Sequence, residues 1–156
     1  MKTIIGNLLE PVGEGKKYII HVCNNKGIMG AGVALAIRQK WSKVYDAYHS
    51  DALYDRLALG SISMVDVGND ITVCNTIAMD GLKTDTNKVP LQYDALERCL
   101  FKVYEGARTE SASVHLPYKM GADRAGGDWS RIVVSIGSIL ERNGISVVVY
   151  KLKGIK

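Results

Sequence analysis

The sequence predicts a single α/β domain whose helices cover both faces of a mixed sheet. Three observations carry that class. Apolar runs and turn signals give the order β-β-α-α-β-β-α-β-α-β over 156 residues, with no repeat or linker. The dipeptide Gly68-Asn69 separates two alternating β-rich runs, which makes one antiparallel pair. Two glycine-rich loops each follow a strand and precede a helix, an arrangement that gathers ligand-binding loops at the carboxyl edge of a sheet.

The elements follow in order. Residues 1–5 (MKTII) form a short strand, and Pro11 with Gly13 to Gly15 marks the loop before a second strand, Lys17 to Cys23. The turn on Asn24, Asn25 and Gly27 leads to Gly30-Ala31-Gly32. An apolar helix opened by Ala31 (Val33, Ala34, Leu35, Ala36, Ile37) runs to Lys40. Ser42 is the expected N-cap of a further helix through Tyr54, with Val44, Tyr45, Tyr48 and Ala52 on one face. Ser61 to Val67 and Asp70 to Ile77 are the hairpin strands, followed by a polar loop over 78–89. Pro90 is expected to open a helix as its first residue, burying Leu91, Ala95, Leu96, Leu100 and Val103. Ser113 to Pro117 reads as a strand. The second glycine loop follows, then a helix to Asn143 stopped by Asn143-Gly144, and a final strand Ile145 to Leu152.

Bulk composition narrows the class of protein. With 47% hydrophobic and 23% charged residues, the chain is ordinary for a globular domain. Its net charge of +4 favours an anionic ligand but falls short of a nucleic-acid-binding signature. Apart from the tail Lys151, Lys153 and Lys156, the basic residues are scattered. Cys23, Cys74 and Cys99 form no CxxC pair, so neither a disulfide framework nor a zinc site is expected. Cys23 and Cys74 read as small core residues. No run approaches membrane-spanning length, and a cytoplasmic protein without membrane contact is expected.

The stretch HVCNNKGIMGAGVALAIRQ, His21 to Gln39, carries the chemistry. Free backbone N–H groups at a helix start attract anions, and glycines let a phosphate approach them. The spacing is not a Walker loop, since no Gly-Lys-Ser/Thr follows. It is also not a dinucleotide fingerprint, because Leu35 stands at the third glycine position. The second glycine loop, Tyr118 to Trp129, offers a facing wall, so the pair is expected to clamp an extended diphosphate.

Gly6-Asn7-Leu8, residues 21–34 (HVCNNKGIMGAGVA) and residues 116–129 (LPYKMGADRAGGDW) together resemble the macrodomain family over nearly the whole chain. The likeness is to the branch holding ADP-ribose-1″-phosphate phosphatases and terminal ADP-ribose protein glycohydrolases. It implies one macrodomain over 1–156, a three-layer α/β/α sandwich with a mixed central sheet. It also implies ADP-ribose or a derivative as ligand. No cofactor, metal or stable nucleic-acid partner is implied, although ADP-ribosylated nucleic acid is a conceivable substrate. By that resemblance Asn7 and Leu8 lie by the adenine, and Asn24 and Asn25 face the distal ribose. Gly30, Ala31, Gly32 and Val33 bind phosphate, opposite a wall of Gly121, Ala122, Asp123, Arg124, Ala125 and Gly126. Asp123 is expected to turn outward or serve catalysis.

Three activities stay open. Glycohydrolase relatives use a lysine just after the fourth strand and, for protein substrates, an aspartate in the second loop. Here Ile77 to Met79 and Ala125 occupy those places, with Lys83, Lys88 and Asp123 nearby. Phosphatase-like relatives resemble this chain at His21, and Asp128 is the expected partner that orients the imidazole or activates water. That makes ADP-ribose-1″-phosphate dephosphorylation the first expectation, glycohydrolysis the second and a non-catalytic ADP-ribose reader the third. His49 and His115 are expected to be structural or surface residues.

Overall fold

The central strands are buried at successive positions, which gives the sheet a hydrophobic layer on both faces. The computed structural model describes residues 1–154. Lys156 and the end of the 1–156 span lie outside the described residues. Six strands, β1 (Lys2–Ile5), β2 (Lys17–Asn24), β3 (Ile62–Gly68), β4 (Ile71–Met79), β5 (Ser113–Pro117) and β6 (Val147–Lys151), take the order β1-β6-β5-β2-β4-β3. All neighbours are parallel except β3 and β4, so the sheet is mixed as expected.

Helices α1 (Gly32–Lys40) and α2 (Ser42–Leu53) cover one face, and α3 (Tyr93–Glu110) and α4 (Trp129–Ile139) the other. The period of two sorts each strand between them. Tyr18 and Ile20 of β2, with Val114, Leu116, Val147 and Val149, pack under Leu96, Leu100, Ile132 and Ile136. Ile19 and Cys23, with Val73, Ile77 and Tyr150, pack under Ile37, Val44 and Tyr48. The result is a three-layer α/β/α sandwich.

Several element ends differ from expectation, each for a local reason. The hairpin turn is centred one residue later, because Asn69 and Asp70 both adopt positive φ (52° and 61°). Ser42 is the first helical residue of α2, and Trp41 stands at the junction of both helices without a side-chain cap. Pro90 does not open α3. It lies in an extended segment where its carbonyl accepts Asp80 N at 2.9 Å and Leu91 bridges Met79, and the helix starts at Tyr93. The last helix ends at Ile139, and its expected final turn is a 3₁₀ turn over Glu141–Asn143 stopped by Gly144 in the left-handed region. Along α1 only Ile37 is fully buried, and Val33 is exposed, because the first turn of this helix faces a cleft.

No helix among the described residues is long and apolar enough to cross a membrane. All three cysteines are buried and unpaired, including Cys99 on α3. Burial pushes their thiols up, that of Cys99 to about 11.

Candidate functional site

The carboxyl ends of the parallel strands open into a cleft of about 890 Å³, a volume suited to a nucleotide-sized ligand. Both glycine loops line it. The first contributes Gly30, Ala31, Gly32 and Val33, and the second Gly121, Asp123, Arg124 and Ala125. They meet where a Cβ on Gly32 would lie 2.8 Å from Arg124 Nε, and Gly32 has φ +59°. Glycine suits that backbone, and a larger residue would also push the Arg124 side chain aside. The Arg124 side chain therefore lies against the first residue of α1, so a guanidinium and the free N–H groups of a helix start border the same part of the cleft, and both attract an anion. The lining holds four cationic side chains, Lys83, Lys119, Arg124 and Lys151, and one acid, Asp123.

Asn7 and Leu8 border the cleft at its β1 end. Asn7 Oδ1 accepts Leu9 N at 2.9 Å, which shapes the turn. Asn24 lines the cleft, yet its side chain builds the loop. Its Oδ1 accepts Lys26 N at 2.9 Å and the Tyr48 hydroxyl at 2.8 Å, and its Nδ2 donates to Ile28 O at 2.8 Å.

Four residues assigned from sequence, Asn25, Ala122, Gly126 and Asp128, do not line the cleft. Asn25 Nδ2 donates to Asp80 Oδ1 at 3.1 Å and its Oδ1 accepts Gly81 N at 2.9 Å, stapling the loop after β4. Gly126 packs on the Lys88 backbone, where a Cβ would collide with the carbonyl oxygen. Ala122 closes the second loop's turn, with its N–H donating to Lys119 O at 2.8 Å. Asp128 is the exposed N-cap of α4, accepting from Ser130 Oγ at 2.7 Å and Ser130 N at 3.0 Å. Those bonds hold its carboxyl below the usual range. It does not orient the imidazole.

His21 borders the cleft but is almost wholly buried, at 2% exposure. Its partner is Asn75, directly opposite on β4, with Nε2 and Oδ1 2.6 Å apart. Sequence reasoning missed Asn75, and the only signal was an amide inside the apolar run ITVCNTI. Cys23 Sγ lies 3.5 Å from His21 Nε2. Burial pushes the imidazole pKa down to about 4, so the ring is neutral near pH 7.

Lys83 and Asp123 both line the cleft, while Lys88 does not. Asn87 Nδ2 donates to Leu82 O and Asp80 O, each at 3.0 Å, and so holds the segment that carries Lys83. His49 is exposed on α2 and His115 is buried in the sheet, both outside the cleft lining. Among the described residues no group of three or more His, Cys, Asp or Glu is placed to hold a metal.

The sheet order, the flanking helix pairs and the paired glycine loops over one cleft define a macrodomain-type fold. The chain is similar to a Bacteroides thetaiotaomicron protein of known crystal structure at 34% identity, covering 97% of this chain and 99% of that one, with a TM-score of 0.92. It is 36% identical to a macrodomain protein from Streptomyces coelicolor, covering 96% and 97%, with a TM-score of 0.84. The chain belongs to the macrodomain family. Thermosipho africanus DarTG shares the fold at 16% identity and a TM-score of 0.71, over 89% of this chain and 39% of that one. No family profile and no curated protein matches the chain.

Proposed function

We propose that the cleft binds ADP-ribose and hydrolyses a derivative of it. The diphosphate lies between Gly30–Val33 and Gly121–Ala125, the adenosine towards Asn7 and Leu8, and the distal ribose towards Asn24 and Lys83. The observation that carries this reading is the approach of Arg124 to Gly32, which brings a cation and free helix N–H groups to one point. Family membership supports it, and the DarTG neighbour was solved in complex with ADP-ribose. Three buried, unpaired cysteines support a place in the reducing cytoplasm.

Removal of the 1″-phosphate from ADP-ribose-1″-phosphate is the first activity to which we assign the site. His21 supports it as a neutral imidazole at the cleft, with Asn75 in the orienting role first given to Asp128. Glycohydrolysis is the second reading, favoured by the presence of Lys83 and Asp123 in one lining. Calorimetry with ADP-ribose tests binding, and absence of binding at millimolar ligand defeats the whole reading. Turnover is tested on ADP-ribose-1″-phosphate, an ADP-ribosylated protein and ADP-ribosylated DNA. Phosphate release that disappears in His21→Ala is expected. Release of ADP-ribose that disappears in Lys83→Ala, without phosphate release, replaces the first activity with the second. Binding without any turnover leaves a reader.

A further inference from the structure

The loops and Arg124 account for a diphosphate, but two lysines at the adenosine end of the cleft have no role in that scheme. Lys119 and Lys151 both line the cleft. Each ammonium group approaches the same ring, with Lys151 Nζ 4.7 Å and Lys119 Nζ 5.6 Å from the Tyr118 centroid. Among the described residues neither is paired with a carboxylate. Asp123, the one acid in the lining, sits beside Arg124 in the diphosphate wall.

The backbone fixes this end of the cleft. Lys151 lies opposite Ile5 in the β1–β6 register, and its carbonyl accepts Gly6 N at 3.0 Å, one residue from Asn7. Lys119 holds φ +60°, a conformation lysine seldom adopts. Two turn hydrogen bonds impose it, Met120 N to Pro117 O at 3.0 Å and Ala122 N to Lys119 O at 2.8 Å. Tyr118 is braced edge-on by Trp129, with ring centroids 5.7 Å apart. Two ammonium groups thus lie within 5.6 Å of one ring centroid at this end of the cleft, and among the described residues neither has a carboxylate partner, so an anion bound beside Tyr118 meets positive charge from both lysines.

We propose that Lys119 and Lys151 form an anion subsite for a phosphomonoester on the adenosine ribose. The cleft then prefers ADP-ribose phosphorylated at the 2′ or 3′ hydroxyl over the unphosphorylated form. Adenine is neutral and offers an ammonium no charge to pair with, and the diphosphate is already matched by the two loops. A phosphomonoester dianion beside Tyr118 supplies the negative charge that these two lysines lack. This subsite deepens the ADP-ribose reading above and rests on it.

The test is calorimetry with 5′-AMP, adenosine 2′,5′-bisphosphate, adenosine 3′,5′-bisphosphate and ADP-ribose. One bisphosphate is expected to bind about tenfold or more tightly than 5′-AMP, and which one identifies the hydroxyl. In a Lys119→Ala/Lys151→Ala double variant, checked for folding by circular dichroism, that ratio is expected to fall to about two or less. Wild type that binds ADP-ribose with no preference for either bisphosphate overturns the subsite and spares the ADP-ribose reading. A Lys83→Ala variant that lowers the ratio as far also overturns it, because the general field of the cleft is then responsible. Failure of ADP-ribose itself to bind defeats both.

Discussion

His21 Nε2 and Asn75 Oδ1 lie 2.6 Å apart between directly paired positions of β2 and β4, with both side chains buried. Asn75 Nδ2 donates to Ser63 Oγ at 3.0 Å, which turns the amide oxygen towards the imidazole. His21 therefore carries its proton on Nε2 and leaves Nδ1 as acceptor. Asn75→Ala strands that N–H in a dry layer, at a cost of about 1–3 kcal/mol. Thermal denaturation should show a fall of roughly 2–4 °C for each kcal/mol. An unchanged midpoint would mean the bond contributes nothing.

Acid should loosen the fold through two histidines. Burial pushes His21 and His115 down to about 4, with Lys17 adding to the effect at His115. In the unfolded chain histidine titrates near its ordinary value of about 6.5. Between those values the unfolded state binds more protons, so stability is full above about pH 6.5 and declines towards about pH 4. The slope approaches about 1.4 kcal/mol per pH unit for each histidine. Urea melts at about pH 7.5, 6 and 5 should show a larger loss over the second interval than the first. A flat response would contradict neutral burial of both rings.

Tyr150 ties the rim of the cleft to the sheet. Its hydroxyl accepts Val12 N at 2.9 Å and lies 2.7 Å from His115 Nδ1, and the residue borders the cleft. On the far side His115 Nε2 meets Ser113 Oγ at 2.7 Å. Tyr150→Phe keeps the ring and removes both hydroxyl bonds, costing about 1–3 kcal/mol. Hydrogen–deuterium exchange should quicken at Val12 and its neighbours, and protection equal to wild type would refute the tie.

Two glycines should fail in different ways. A Cβ on Gly32 meets the flexible end of exposed Arg124, whereas one on Gly126 meets the Lys88 backbone. Both glycines have positive φ, +59° and +70°, so each alanine variant carries about 1–2 kcal/mol of backbone strain. Gly32→Ala should weaken ADP-ribose binding about tenfold and lower the melting temperature only by that strain, roughly 2–8 °C. Gly126→Ala should lower the melting temperature further, because a carbonyl oxygen cannot step aside as a side chain can. Paired melts and titrations would reject the scheme if the two patterns were exchanged.

Element order and the mixed sheet were legible because apolar runs of β-branched residues alternate with helical spacing and glycine punctuation. The misplaced ends trace to pairing across the chain. Pro90 has the local look of a helix start, but the β4 end at Met79 and Asp80 recruits its segment into extended pairing. The glycine loops were legible for the same local reason that makes them bind anions. Asn25 and Asp128 also lay in the recognised stretches, yet their side chains satisfy nearby backbone groups. Sequence proximity alone did not reveal that.

By itself the sequence determined the α/β class, the two glycine loops and the residues carrying the resemblance, because backbone propensity and turn chemistry act over a few positions. Only the tertiary structure decided the partners within the site. Asn75 reaches His21, Arg124 reaches Gly32, and Lys119 and Lys151 each approach Tyr118, through placements that local sequence does not set. Strand register and loop docking set those distances, and neither can be read along the chain.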